Sequence, residues 1–159
     1  MGAKSEALAK QFEGKAQEAA AGIEKLSDAD WKKVTAAEKW TVGVTAHHLA
    51  GAFEPVAGIV TALVSGQLPG GFSRVMLDGM NAQHARDHAN CSKAETIALL
   101  RKGVPVAAAV VRGLSDEQLA KSGAVFTDAP PMTAEQLVMG GLINHIDEHF
   151  GSIRKTVSG

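Results

Sequence analysis

The chain has little of what disulfide-bonded, membrane-spanning or nucleic-acid-binding proteins need. It contains a single cysteine, Cys91, so no intrachain disulfide can form. Tyrosine is absent, and no uninterrupted apolar run approaches the ~18 to 20 residues of a membrane span. The 16 basic and 17 acidic residues nearly balance, and no segment clusters Lys and Arg with aromatic residues. We therefore expect neither a nucleic-acid nor a membrane partner, and since the N-terminus lacks the apolar segment of a signal peptide, a cytoplasmic protein.

Length and residue usage indicate the fold class. A chain of 159 residues can bury a core without disulfides, and we expect one domain over residues 1–159. Helix formers dominate, and β-branched residues nowhere alternate with polar ones over the length of a strand. The predicted fold class is therefore all-α, with no strand.

Apolar periodicity and capping residues predict the helices. Four long helices are expected over residues 5–26, 41–65, 93–112 and 133–155. A shorter helix over residues 72–89 lies between the second and the third. Pro55 is expected to kink or break the second helix, and Pro105 to kink the third. The pattern predicts an antiparallel four-helix bundle with an accessory helix and a long crossover.

Helical periodicity turns three histidines toward the core of this bundle. His145 and His149 form an H-x-x-x-H pair, about 40° apart around the helix axis and roughly 6 Å apart along it, which suits two ligands of one metal ion. His48 continues the apolar stripe of the second helix, whereas His47 is turned about 100° away. Three convergent imidazoles would hold a divalent ion with coordination positions left open. Hydrogen-bonded core histidines without a metal are the alternative.

Other polar residues near these motifs have two interpretations each. His84 and His88 form a second H-x-x-x-H pair, and because the surrounding segment is strongly polar, we expect an exposed helix end without a ligand role. A place at the mouth of a pocket, or a second ion, is the alternative. Asn144, Asp147 and Glu148 are candidates for hydrogen-bonding partners of the terminal imidazoles, or are solvated surface residues.

The terminal pair also spells H-x-x-E-H, in which Glu148 would be the general base of a metallopeptidase. Glu148 is turned about 100° away from His149 on a helix. Only ten residues follow His149, which leaves little chain for the downstream carboxylate ligand of such peptidases. Peptidase chemistry is therefore disfavoured.

The order and spacing of the motifs resemble the DinB-like metal-binding bundle family. His48 follows Trp40 by eight residues, and the last helix carries N-H-x-x-x-H-x-G-x-I, with Asn144, His145, His149, Gly151 and Ile153. That family includes damage-inducible proteins, mycothiol- and bacillithiol-dependent transferases, and maleylpyruvate isomerases. The resemblance implies a metal on His48, His145 and His149 at the open end of a four-helix bundle, and a homodimer.

The same resemblance favours a divalent-metal enzyme with thiol-dependent S-transferase or isomerase chemistry on a small molecule. The metal it suggests is zinc or nickel, with iron third, and the second cofactor is a low-molecular-weight thiol. Catalytic residues are not identified from the sequence. A metal-dependent hydrolase and a non-enzymatic metal-binding stress-response protein remain alternatives.

Overall fold

The structure, a computed structural model, describes residues 2–158, and most of them are helical. The helices are α1 (Ala3–Glu24), α2 (Asp28–Trp31), α3 (Val42–Gly51), α4 (Phe53–Val64), α5 (Arg74–Asp87), α6 (Lys93–Arg112), α7 (Asp116–Ala120), α8 (Ala134–Val138) and α9 (Asn144–Ser158). A π-helical turn, Met139–Ile143, joins α8 to α9. Two short strands, β1 (Ser122–Gly123) and β2 (Met132–Thr133), pair antiparallel.

Four long helical segments form the predicted all-α bundle: α1, α3 with α4, α6, and α8 with α9. The first and third of these run antiparallel. Arg112, at the end of α6, pairs with Glu6 and Glu13 of α1 at 2.7 and 2.6 Å. Lys93, at the start of α6, donates to the carbonyl of Glu24 at the end of α1.

The second segment is antiparallel to the last one and parallel to α6. A Cβ added at Gly141, in the π-turn, would lie 2.8 Å from Val56 of α4, while His48 of α3 meets His149 of α9. Along α6, Glu95 lies near His47, and a Cβ added at Gly103 would touch Phe53. A parallel pair needs a long connection, and residues 65–92, with α5 inside them, supply it.

Two prolines have different effects on their helices. The second helix is interrupted at Ala52, where Pro55 cannot donate a backbone hydrogen bond to Gly51, so the predicted break is confirmed. By contrast, α6 continues as one helix through Pro105. Capping boxes at Ser92 and Thr133 begin α6 and α8, in agreement with the predicted helix starts near residues 93 and 133.

Two local features differ from the sequence analysis. The expectation of no strand was wrong for β1 and β2, which have two residues each and close the loop before α8. The last helix is not a regular α-helix, since the π-turn interrupts it at Gly140 and Gly141. Glycine has a low helix propensity, so two adjacent glycines favour a departure from α-helical geometry, and Gly141 allows the close approach of α4.

The segment Val42–Val64 is long and apolar enough to cross a membrane by length and composition, with a mean hydropathy of 1.2. The absence of an uninterrupted apolar run in the sequence had argued against such a segment. The core helix of a soluble domain can be equally long and apolar. Here Leu49, Phe53 and Val60 are fully buried in the bundle core, where Phe53 meets Phe12 edge to face at 5.0 Å. One face of the segment thus packs in the bundle core.

Candidate metal centre

The three histidines predicted to face inward come together where α3 meets α9. Each of His48, His145 and His149 offers a ring nitrogen within 4.8 Å of those of the other two. Their ring centroids are 4.6 to 5.1 Å apart. The geometry agrees with the prediction from helix faces, and the role of these imidazoles as metal ligands stays a prediction.

The local sequence explains why these side chains converge. On α9, His145 and His149 lie in one stripe with Leu142 and Ile153, both fully buried, so the imidazoles are drawn to the core side of the helix. The indole of Trp40 meets the ring of His48 edge to face at 5.2 Å and covers one side of it. His149 is buried, whereas His48 and His145 are half-buried. The cluster therefore lies at the boundary between core and solvent.

Glu38 holds the imidazole of His149 and was missed by the sequence analysis. One carboxylate oxygen of Glu38 lies 2.7 Å from His149 Nδ1, and the other accepts a hydrogen bond of 2.6 Å from the Ser152 hydroxyl. The side chains of His149 and Glu38 are only 10% and 8% exposed. Burial would raise the pKa of Glu38, but hydrogen bonds from Ser152, His149 and Thr35 outweigh it and lower that pKa.

An ionised carboxylate can only accept hydrogen bonds, which fixes the tautomer of His149. Nδ1 must carry the proton that is donated to Glu38, so Nε2 carries the lone pair. A carboxylate behind an imidazole in this way orients the ring and raises its basicity toward a metal ion. The Glu38–His149 pair therefore prepares Nε2 as a ligand atom.

A strained loop delivers Glu38 to this position. Thr35 N donates to the carbonyl of Trp40 at 2.8 Å, and Lys39 N donates to that of Thr35 at 3.0 Å. Lys39 has a φ of 63°, in the left-handed region that a side chain disfavours. The conformation aims the neighbouring Glu38 at α9, so strain is stored next to the candidate site.

The acidic and amide residues adjacent to the histidines in sequence do not serve as their partners. Asn144 and Glu148 are exposed, and Asp147 forms a 2.7 Å ion pair with Lys15. The solvated-surface interpretation is therefore the right one for all three. Exposure of Glu148 also leaves the peptidase interpretation without its general base.

Burial keeps two imidazoles of the cluster in the form that binds metals. Burial, followed by the neighbouring His149, lowers the pKa of His48 from 6.5 to about 4. The same two causes lower the pKa of His145 to about 3. Both imidazoles are thus neutral at pH 7, as metal coordination requires.

One buried ring nitrogen in the cluster has no hydrogen-bond partner. Among the described residues, His145 Nε2 is buried without any hydrogen-bond acceptor or donor. A buried polar atom left in this state costs about 1 to 3 kcal/mol. A borderline divalent ion would use this nitrogen together with those of His48 and His149, so the donor set and the unpartnered atom both fit such an ion.

The other three of the six histidines form a second cluster beside the first. His84 and His88 are half-buried and lie against His47 of α3, so the expectation of an exposed helix end was wrong. The sequence placed His47 on a different face of the helix from His48, and the face that carries His47 packs against α5. The centroid of the His84 ring is also 5.8 Å from that of the His48 ring, so the two clusters are adjacent.

The single cysteine is a packing residue. Cys91 is buried and its thiol lies 3.3 Å from the carbonyl of Gly43. Burial raises the pKa of this thiol. A raised pKa disfavours the thiolate, which is the reactive and metal-binding form.

Comparison with known proteins identifies the family. Residues 12–140 match the model of the mycothiol maleylpyruvate isomerase N-terminal domain. The match includes His48, and His145 and His149 follow its end. No curated protein matches the sequence. Since the match covers most of the chain and agrees with the DinB-like bundle and its order of motifs, the chain belongs to the mycothiol maleylpyruvate isomerase N-terminal domain family.

Proposed function

We propose that this protein, a single domain over residues 1–159, is a divalent-metal-dependent enzyme that uses a low-molecular-weight thiol to transfer or isomerise a small molecule. The observation that carries the proposal is the histidine cluster, in which Glu38 fixes His149 and the Nε2 atom of His145 has no partner. An imidazole donor set suits zinc or nickel, with iron third.

The residues of this site have different roles in the proposed reaction. A divalent ion held by His48, His145 and His149 would supply Lewis-acid activation of a thiol. Glu38 holds His149 in one tautomer and orientation, and burial lowers the pKa of His48 and His145, which keeps these two imidazoles unprotonated. The half-buried His48 and His145 leave the cluster within reach of a small molecule from solvent.

The state of Glu38 favours thiol chemistry over metal-dependent hydrolysis. Hydrolysis commonly needs a side chain that takes a proton from water. Both oxygens of Glu38 are engaged, by His149 and by Ser152, so this carboxylate is not free to act as a general base. A thiol is acidic enough to act as the nucleophile without such a base. The family description, which names a mycothiol maleylpyruvate isomerase, also supports thiol chemistry.

The test is a rate measurement with a panel of thiols. Metal-loaded protein is incubated with an aromatic halide electrophile and, in turn, with mycothiol, bacillithiol, glutathione and cysteine, and thioether formation is followed. Metal-dependent acceleration with at least one thiol, lost in a His48→Ala variant, is expected. Acceleration of ester hydrolysis without thiol would support the hydrolase instead. Bound metal with no acceleration of either reaction would support a non-enzymatic metal-binding protein.

We also propose a cytoplasmic homodimer. A low-molecular-weight thiol stays reduced in a reducing compartment, which supports the cytoplasm. Helix α5 exposes three large apolar side chains, Val75, Met76 and Met80, which are 74%, 51% and 58% exposed. Burial of this face against a second copy would remove it from water. Light scattering should give twice the chain mass for the wild type and a lower mass for Met76→Gln with Met80→Gln. Monomeric wild-type protein would contradict the dimer.

A further inference from the structure

We propose that the protein binds a second divalent transition-metal ion on His47, His84 and His88. One ring nitrogen from each of these residues lies within 4.8 Å of those of the other two, as is also true of the first cluster. This inference does not depend on the proposed enzymatic function, because it rests on different side chains.

Two helices build the second cluster. His47 comes from α3 and is buried, while His84 lies in the last turn of α5 and His88 is the residue that caps the C-terminus of that helix. His47 Nδ1 lies 2.8 Å from His84 Nε2. The ring of His88 stacks on that of His47 at 4.1 Å, and its centroid is 4.6 Å from that of His84.

Hydrogen bonding satisfies this cluster incompletely. The contact between His47 and His84 uses one N–H and one lone pair. The other ring nitrogen of His84, Nδ1, is buried and has no partner in the described part of the chain. In the 2.8 Å contact, His47 Nδ1 and His84 Nε2 share one proton, whereas a bound ion would use the lone pairs of both atoms, with the proton of His84 on Nδ1. A tetrahedral ion with bonds of about 2.0 to 2.1 Å needs ligand nitrogens roughly 3.3 Å apart, so the two rings would separate by about half an ångström.

A carboxylate lies beside the cluster. Glu95, at the start of α6, places Oε1 3.9 Å from His47 Nε2. With Nδ1 of His47 on the ion, Nε2 would carry the proton and face Glu95, which is a longer and more exposed contact than the 2.7 Å hydrogen bond between His149 and Glu38. Glu95 adds a negative charge next to the ion, and its other oxygen accepts from the Ser92 backbone as part of a capping box.

The second cluster is open to solvent. His47, His84, His88 and Glu95 line a groove of about 560 Å³ between α3, α5 and α6. An ion from solution can therefore reach these imidazoles without passing the first cluster. Lys102 lines the same groove and is a cation that could hold an anion beside the ion.

The test is a titration of metal-free protein with Co²⁺, followed by its visible absorption, and with Zn²⁺, followed by elemental analysis after desalting. Wild-type protein should bind two equivalents. His88→Gln and His149→Gln should each bind one, and the exposed Gln83→Ala on the same helix should bind two. His88 is half-buried, so the substitution perturbs folding less than a change at buried His47, and circular dichroism checks that the helices persist.

The outcomes separate the two sites. A wild type that binds one equivalent, lost in His149→Gln and kept in His88→Gln, would overturn the second site and leave the first intact. A wild type whose equivalent is lost only in His88→Gln would support the second site and remove the first. Glu95→Gln preserves the capping box, since Gln also serves there. It should weaken the second equivalent about tenfold and leave the first unchanged, whereas unchanged affinity for both equivalents would exclude Glu95 from the site.

Discussion

Removing the carboxylate of Glu38 should weaken metal binding at the first cluster without removing a ligand. In Glu38→Ala, His149 loses the acceptor that fixes its tautomer and orientation, and the Ser152 hydroxyl loses its acceptor as well. Partners of this kind, behind a metal-binding imidazole, typically change affinity by 10- to 100-fold. The expected loss is therefore about 1.4 to 2.8 kcal/mol of binding free energy.

The same change should also lower the stability of the metal-free protein. His149 Nδ1 would keep a buried N–H without an acceptor, since its side chain is only 10% exposed. The expected loss in the free energy of unfolding is about 1 to 3 kcal/mol. Glu38→Gln keeps an acceptor but removes the charge, so its effects on affinity and stability should fall between those of the wild type and Glu38→Ala.

Competition with a chromophoric chelator measures the affinity, and urea unfolding of metal-free protein measures the stability. Glu148→Gln is the matched control, because Glu148 is also acidic and adjacent to His149 in sequence, but is exposed. The control should bind metal as the wild type does. Equal affinity of Glu38→Ala and Glu148→Gln would refute the role given to Glu38.

Three further predictions concern pH and backbone geometry. Folding lowers the pKa of His48 from 6.5 to about 4, so the unfolded state takes up a proton at a higher pH than the folded state does. The free energy of unfolding of the metal-free protein should therefore fall by up to about 3 kcal/mol between pH 6.5 and pH 4, and a flat profile would contradict this. In urea unfolding, Gly43→Ala should destabilise by about 1 to 3 kcal/mol, since its Cβ would lie 2.5 Å from the Trp31 indole nitrogen. Gly58→Ala, with open space around it, should raise the free energy of unfolding by up to about 1 kcal/mol. Equal effects of the two substitutions would refute the close approach of Gly43 to Trp31. Lys39→Gly should relieve the backbone strain at the φ of 63° and raise the free energy of unfolding, measured by thermal denaturation, by about 1 kcal/mol. A loss of that size would contradict strain at this position.

The sequence predicted those parts of the fold and site that depend on local periodicity. Capping residues and apolar spacing predicted the bounds of α6, and Pro55 itself predicted the break in the second helix, because both depend on residues within one or two turns. The same periodicity put His145 and His149 on the core face of α9. The π-turn before α9 was not predicted, since an extra residue in a helical turn leaves the apolar stripe through Val138 and Leu142 intact.

Contacts between distant segments could not be predicted in this way. Glu38 and His149 are 111 residues apart, and nothing in the sequence around Glu38 distinguishes it from the other charged residues of that loop. The second cluster depends on how the crossover packs α5 against α3, which local patterns do not determine. The polar sequence around His84 and His88 therefore suggested an exposed helix end, although both imidazoles pack against His47.

The central claim is that His48, His145 and His149 hold one divalent metal ion. The most direct measurement is the zinc bound per chain after equilibration and desalting, in a His88→Gln background that removes any contribution from the second cluster. The account predicts one zinc per chain in that background and none once His145→Ala and His149→Ala are added, with helical content unchanged. Equal zinc in the two proteins, or no zinc in either, would contradict it.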